Sequence, residues 1–280
     1  MKILVAGKDG QVGQALQAQA AKMPSVDLVA LSRNELDITD AASVQAAIGG
    51  HKPDLVMNAA AYTAVDRAED EENQAFLVNA QGPELLAAAC EATDIPFLHI
   101  STDFVFDGKK KTPYAETDIC APLSVYGKSK LAGEVAVQKA CAQHIILRTA
   151  WVFGGVQNFV TTMRRLAADR DKISVVADQY GGPTYTADIA AALLTISSRI
   201  IASDFDAWGI YHFSGAPSVS WYEFASYILS GIPTVTVAPI PTSDYPTPAM
   251  RPSNSVLDCT KIHQEFGIVP SDWKLALSQI

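Results

Sequence analysis

Short apolar runs alternate along the chain with longer segments in which apolar residues recur at helical spacing. KILVA (2–6), VDLVAL (26–31), DLVMNAA (54–60), IPFLHIS (95–101) and HIILRTA (144–150) are hydrophobic stretches, and ISVVAD (173–178) and GIYHFSG (209–215) extend the series. Runs of this length without apolar–polar alternation fit strands buried on both faces, the pattern of a parallel sheet. Between them, VGQALQAQAAK (12–22), AASVQAAIGG (41–50) and NAQGPELLAAACEA (79–92) read as helices. This alternation predicts an α/β fold, a doubly wound parallel sheet with helices on both faces. The pattern loosens past residue 150, and residues 231–255 carry the Pro, Thr and Ser of loops and short extended pieces. The expectation is a first domain over 1–150, completed by a later return strand and helix at about 173–200. A smaller region, 151–280, should pack over the carboxyl ends of the strands, where open α/β sheets bind ligands.

The first turn carries chemistry. VAGKDGQVG sets Gly7, Gly10 and Gly13 in a G-x-x-G-x-x-G spacing, after the first strand and at the opening of the first helix. There the glycines permit a tight turn, and the helix N-terminus offers free N–H groups and a positive dipole end to a diphosphate. A dinucleotide is the expected ligand. The second strand runs into ALSRNE, so Ser32 and Arg33 stand where NAD binders tend to place an acid for the ribose 2′-hydroxyl. A hydroxyl and a guanidinium suit a 2′-phosphate, which makes NADPH the expected cofactor, with NADH as the alternative. LDITD puts Asp37 and Ile38 near the adenine end. Ala59, Ala60 and Ala61, just past the third run, either let a ligand approach the backbone or serve helix–sheet packing alone.

In VYGKSKLAGE, Tyr126 and Lys130 are four residues apart, on one face of a helix. An ammonium beside a phenol favours the phenolate and lowers its pKa, so the pair suits proton transfer near neutral pH.

Composition narrows the function classes. A chain of 280 residues that is 49% hydrophobic can bury a large core. Its net charge is −9, and no basic run exceeds KKK at 109–111, so nucleic acid is not an expected partner. The cysteines are scattered with no C-x-x-C and the histidines show no ligand spacing, so neither a disulfide framework nor a metal site is expected. No run approaches the ~18 apolar residues of a membrane span, and the first apolar run is too short for a signal peptide. A cytoplasmic protein without membrane contact is expected.

Taken together, GKDGQVG, NAAAYTAVD, STDFVFDG, YGKSKLAGE, RTAWVFG, DQYGGPT and YPTPAMRPSNS resemble the extended short-chain dehydrogenase/reductase family over almost the whole chain. The resemblance implies a Rossmann-type fold with a smaller C-terminal substrate-binding domain. It also implies an NADPH-dependent reductase acting on the C4 ketone of a nucleotide-linked 6-deoxy sugar. Tyr126 would be the proton donor, and Lys130 would lower its pKa and hold the nicotinamide ribose. Thr102 would hydrogen-bond the reacting oxygen, or merely cap a turn at a strand end. Thr102 and Asp103 would touch the sugar, and Trp151 would pack near its ring or simply fill the core. Gly10, Gln11 and Val12 would line the diphosphate, and Asp37, Ile38, Ala60, Ala61 and Tyr62 the rest of the dinucleotide. Arg251 would bind the substrate diphosphate or organise a loop. Some members dimerise through a magnesium ion held by glutamates. Gln14 and Ala15 stand in that region of the first helix here, which leaves a homodimer open but not a metal-bridged one. Three rivals remain at this stage. A dehydratase would want Glu where Phe104 follows Asp103, an epimerase would retain NAD, and a regulatory subunit would dispense with Tyr126, Lys130 and Thr102.

Overall fold

The computed structural model describes residues 1–202 and 204–280. Its central sheet is built from β1 (Lys2–Ala6), β2 (Asp27–Leu31), β3 (Leu55–Asn58), β4 (Phe97–Thr102), β5 (His144–Thr149) and the strand Gly209–His212. The spatial order is Gly209–His212, β5, β4, β3, β1, β2, and every pairing is parallel. The chain steps outward from β1 to β2, then returns past β1 to β3 and continues the other way. The carboxyl ends of β1 and β3 thus flank a topological switch point, where helices leave the sheet on opposite faces and open a crevice.

The helices are α1 (Gln11–Ala20), α2 (Ala41–His51), α3 (Glu72–Phe76), α4 (Gly82–Ala92) and α5 (Val125–Ala140), followed later by Thr186–Ala202. Leu16 of α1 and Ile189, Leu193 and Ile196 of the helix Thr186–Ala202 share one core with Ile3, Val5 and Leu147. On the opposite face, residues of α2, α4 and α5 pack on Leu4, Val56 and Ile146. Successive strand residues point to opposite faces, so a run apolar at every position feeds both cores.

The boundaries depart from the hydrophobic pattern for local reasons. β3 ends at Asn58, short of the apolar run, because the Asn58 side chain accepts a hydrogen bond from Ala60 N–H at 3.0 Å and turns the backbone. The helix expected over 79–92 begins earlier, at Glu72, and passes through a wide turn at Leu77–Gln81 before α4. Pro83 lacks the N–H that would bond the Asn79 carbonyl, so the helix opens there. That carbonyl lies against Gly133 of α5, where any Cβ would collide with it. The strand expected over 173–178 forms at Lys172–Val176 but does not complete the central sheet. It pairs with Thr236–Ile240, and the place beside β5 belongs to Gly209–His212. Apolar runs of similar length are interchangeable as pattern, and only the chain's path decides which sheet each joins. Met163, Ala225 and Leu229 pack on this second ladder, and Phe153, Phe224 and Trp273, with Phe159 and Trp221 beside them, form an aromatic core of the region beyond residue 150.

One buried charge pair joins α5 to β5. Arg148 of β5 donates from Nε to Glu134 Oε1 at 2.9 Å and from Nη2 to Oε2 at 2.7 Å. Both side chains are essentially fully buried. Arg148 Nη1 lies 3.3 Å from His212 Nε2, and Nη2 donates to Cys120 Sγ at 3.2 Å. His212 Nδ1 in turn donates to the Tyr114 carbonyl at 3.0 Å, which leaves Nε2 free to accept from the guanidinium. The network ties α5 to β5, to the edge strand and to the loop after β4. We expect Glu134→Gln to cost about 3–5 kcal/mol in urea unfolding, because the guanidinium stays charged in an apolar interior without its counter-ion. Adding Arg148→Met should recover part of that loss. A single-variant cost near the ~0.5 kcal/mol of a surface change would show that the pair does not hold α5.

Candidate active site

A cavity of about 1140 Å³ runs across the carboxyl ends of β1, β3, β4 and β5. At one end it meets the glycine turn. Gly7 has φ +94°, and a Cβ there would sit 2.6 Å from Ala60 N, so this turn can press against the strand-end alanines only as glycine. Gly13 lies beneath, with its α-carbon against the Gly7 carbonyl, and it is a packing position rather than part of the wall. Gly10 precedes α1; no side chain caps the helix and its first turn holds no acid. Gly10, Gln11 and Val12 line the cavity here. The unopposed helix end suits a diphosphate.

At the far side of β1, Arg33, Asp37 and Ile38 line the cavity, with Ala60, Ala61 and Tyr62 on the β3 side. Ser32 does not reach the wall. Its backbone N–H and its hydroxyl both donate to Glu35 Oε2, at 2.8 and 2.7 Å, and Lys8 completes the cluster at 2.7 Å. Lys8 and the Ser32 bonds hold the Glu35 carboxyl down to about 2. Arg33 is largely exposed and pairs with Asp37 at 3.8 Å. Asp37 is held below the usual carboxylate range, chiefly by Thr39 and only secondarily by Arg33. The expectation of a joint Ser32–Arg33 clamp is therefore corrected: Glu35, three residues downstream, has taken the hydroxyl. Tyr62 is positioned by Asn79, which accepts from Tyr62 N–H at 2.8 Å and donates to its carbonyl at 3.0 Å. Its hydroxyl donates to Glu71 at 2.6 Å.

The third portion brings Thr102, Asp103, Tyr126, Lys130 and Trp151 together. Ser124 caps α5, accepting from Gly127 N–H at 3.2 Å, and so starts the helix that presents Tyr126 and Lys130 on one face. Thr102 ends β4, donates to Asp103 Oδ1 at 3.0 Å and accepts from Phe104 N–H at 3.2 Å. Trp151 has φ +46°, a left-handed conformation that is strained for so large a residue. It is held there by stacking on Trp221, with ring centroids 3.4 Å apart and planes within 4°. Arg251 is not on the wall. It makes two hydrogen bonds to Asp66, at 3.0 and 2.9 Å, and ties the C-terminal loop to the segment after β3.

Burial dominates the electrostatics. The Tyr126 phenol is pushed up to about 12, chiefly by desolvation. Lys130, whose amine donates to the Ile100 carbonyl at 2.7 Å, does not offset that desolvation. Lys130 itself is lowered to about 8 by burial. Asp103 is raised to about 6, again by burial, with Ser255 and Thr102 pulling the other way. The Ser255 hydroxyl is directed to the Tyr180 carbonyl, at 3.3 Å. Among the described residues, the buried side-chain oxygens without a hydrogen-bond partner are Ser101 Oγ, Asp103 Oδ2 and Thr149 Oγ1. All three residues line this cavity. Buried polar atoms are nearly always satisfied, so their concentration here fits a polar ligand.

Several contributors were not legible as site residues. His99, Asn58 and Asn79 are buried polar side chains behind the wall; a lone histidine in the apolar run of β4 and asparagines at element ends were the available signals.

Comparison with known proteins identifies the family. The family model described as the RmlD substrate binding domain matches residues 1–280. The chain belongs to this family. A dTDP-4-dehydrorhamnose reductase of Aggregatibacter actinomycetemcomitans is 48% identical over 289 residues, covering 100% of this chain and 98% of the relative. The reductase of that name from Escherichia coli K12 is 39% identical, covering 100% and 97%. Among solved structures, a dTDP-4-dehydrorhamnose reductase from Bacillus anthracis in complex with NADP superposes with a TM-score of 0.91 at 35% identity, covering 99% of this chain and 97% of that one. A UDP-glucose 4-epimerase from Thermotoga maritima, 19% identical with a TM-score of 0.82 and covering 99% and 96%, shares the fold. The match to the RmlD family spans both the sheet and the region beyond it.

Asp103 gives a stability test within this family's cavity. The folded protein holds the Asp103 proton more tightly than the unfolded chain does, so ionisation destabilises the fold. The penalty is absent at pH values below the ordinary carboxyl pKa of 3.8 and is complete above about 6. That gap corresponds to about 3 kcal/mol at 1.36 kcal/mol per pH unit. Asp103→Asn should therefore be more stable than the parent at pH 8, by up to about 3 kcal/mol, with the difference fading toward pH 4. A constant difference across that range in thermal melts would mean that Asp103 does not carry a perturbed charge.

Proposed function

We propose that this chain reduces the C4 ketone of dTDP-4-dehydro-L-rhamnose to dTDP-L-rhamnose with NADPH. What supports the reading is that a phenol, a hydroxyl and an amine meet on one wall of the cavity whose other end is the glycine turn. When bound, the reduced nicotinamide supplies the hydride. Tyr126 donates its phenolic proton to the C4 oxygen as negative charge develops there. Thr102 turns its hydroxyl from Asp103 to the same oxygen, stabilising that charge in a site largely withdrawn from water. Lys130 holds the ribose hydroxyls, and its charge favours the phenolate that proton transfer leaves behind. Asp103 Oδ2 accepts from a sugar hydroxyl, and Trp151 offers its face to the sugar ring. The α1 N-terminus, with Gly10, Gln11 and Val12, holds the cofactor diphosphate. Residues 151–280 serve mainly the sugar side of the cavity.

A cytoplasmic location belongs to the same reading, supported by the four free cysteines. No described helix is long and apolar enough to cross a membrane.

The direct test is consumption of NADPH on addition of dTDP-4-dehydro-L-rhamnose, with the product identified as dTDP-L-rhamnose. Binding of the sugar nucleotide without NADPH consumption would sink the reading. In the same assay, Tyr126→Phe keeps the ring and removes the proton, and turnover should fall by at least roughly 10²-fold with folding and NADPH binding intact. For cofactor choice, Arg33 would face the 2′-phosphate in competition with Asp37. Arg33→Ala should weaken NADPH binding by about 1.5 kcal/mol, the low end for a hydrogen bond to a charged group, and leave NADH nearly unchanged. Equal losses for both cofactors would make Arg33 a bystander.

A further inference from the structure

Behind Lys130 runs a line of three buried polar side chains: Asn58, His99 and Lys130 itself. Asn58 and His99 are register partners on β3 and β4, and none of the three is more than 2% exposed. The orientation of Asn58 is fixed, because its Oδ1 accepts from Ala60 N–H. Its amide nitrogen therefore faces His99 Nδ1, at 3.1 Å. Across the ring, His99 Nε2 lies 3.3 Å from Lys130 Nζ. Lys130 Nζ also donates to the Ile100 carbonyl at 2.7 Å.

The donors and acceptors along this line fix where the ring proton sits. An amide nitrogen carries donors only, and a neutral imidazole has one N–H and one lone pair. Burial and the nearby lysine hold His99 neutral, well below its ordinary pKa. Because Asn58 donates to Nδ1, the ring proton sits on Nε2, and that N–H points at Lys130. An ammonium has three donors and no acceptor, whereas an uncharged amine has a lone pair to offer. The line is thus matched from end to end when Lys130 is neutral, and two donors face each other when it is charged.

The other ionisable groups around Lys130 are few. Glu134, one turn along α5, favours the charged form, but both of its oxygens are engaged by Arg148. Tyr126 on α5 and Asp103 after β4 share the cavity wall with it. Desolvation is the larger influence and brings the amine to about 8.

We propose that His99 is a positioning residue that sets the proton affinity of Lys130. Held by Asn58 in the Nε2–H tautomer, it keeps the lysine poised between ammonium and amine, and so fixes the alkaline limit of turnover. This inference rests on the role given to Lys130 above. As Tyr126 releases its proton, the phenolate left behind is stabilised by a charged Lys130 and not by a neutral one. Reductive turnover should therefore fall as Lys130 deprotonates, far below the pH at which Tyr126 would lose its own proton.

Two measurements test it. The first uses the unmodified protein with ¹⁵N-labelled histidine. From about pH 6 to about pH 9, His99 should show a protonated Nε2 and an unprotonated Nδ1, the two nitrogens being distinguishable in the neutral ring. A protonated Nδ1 would overturn the proposal, and the result needs neither substrate nor turnover. The second is the pH profile of kcat for His99→Gln, whose carbonyl can accept from an ammonium. The alkaline limb should move upward by about one pH unit, as expected when a facing donor is replaced by an acceptor. A merely structural role would lower kcat at every pH and leave the limb in place, which would fail this inference while leaving the reading of the reaction intact. Absence of any NADPH consumption by the unmodified protein would fail the reaction reading alone, since the tautomer would still report where the ring proton lies.

Discussion

Arg148 and Glu134 meet fork to fork with both charges out of water, and the geometry of the cavity wall that carries Tyr126 and Lys130 depends on that contact. Glu134 lies one helical turn beyond Lys130 and two beyond Tyr126 on α5. Pinning its carboxylate to β5 therefore fixes both the rotation and the height of the helix. A buried ion pair is a poor source of net stability, because desolvation offsets most of the attraction. What it supplies is a single allowed arrangement: a helix rotated or slipped by one residue would leave a guanidinium unpaired among Phe106, His212 and Cys120. Close packing on the other side acts in the same sense. Gly133 lets α5 press on the Asn79 carbonyl, and Asn79 in turn holds Ser129 and the Tyr62 backbone. One helix is thus located from two directions, by charge and by contact.

The price of a preorganised cavity is visible in its ionisable groups. Tyr126, Lys130 and Asp103 are all shifted toward their neutral forms, and in each case burial is the largest cause. Ser101, Asp103 and Thr149 carry oxygens with no protein partner. These features weaken the isolated fold, and they are the groups a polar ligand would satisfy. The strained Trp151 backbone belongs to the same pattern, a high-energy conformation maintained by the stack on Trp221 and by the absence of a Cβ at Gly181. Sites that bind and polarise a substrate commonly store such strain. The dinucleotide end is built differently, from backbone and dipole: glycines that bring the turn against β3, and a helix terminus left uncapped.

Much of this was legible in the amino-acid order alone. The strands β1 to β5, the α/β class, the glycine turn and the Tyr126–Lys130 pair all follow from local spacing, because periodicity, helix starts and i,i+4 placement are properties of short segments. Long-range decisions were not legible. Residues 172–176 and 209–212 look alike as apolar runs, and only the chain's path assigns the second to the central sheet and the first to a separate ladder. Ser32 read as a ligand group until Glu35 folded back onto it, and Arg251 until it met Asp66, 185 residues away in sequence. Lys130 was read as a neighbour that would acidify Tyr126. That expectation followed from charge at helical spacing, but the tertiary structure half-buried Tyr126, buried Lys130 and turned the amine toward the Ile100 carbonyl. The sequence by itself determined which residues were candidates for the chemistry and on which elements they ride. The tertiary structure decided their protonation and their partners, because desolvation and hydrogen-bond matching depend on everything packed around a group and not on its neighbours along the chain.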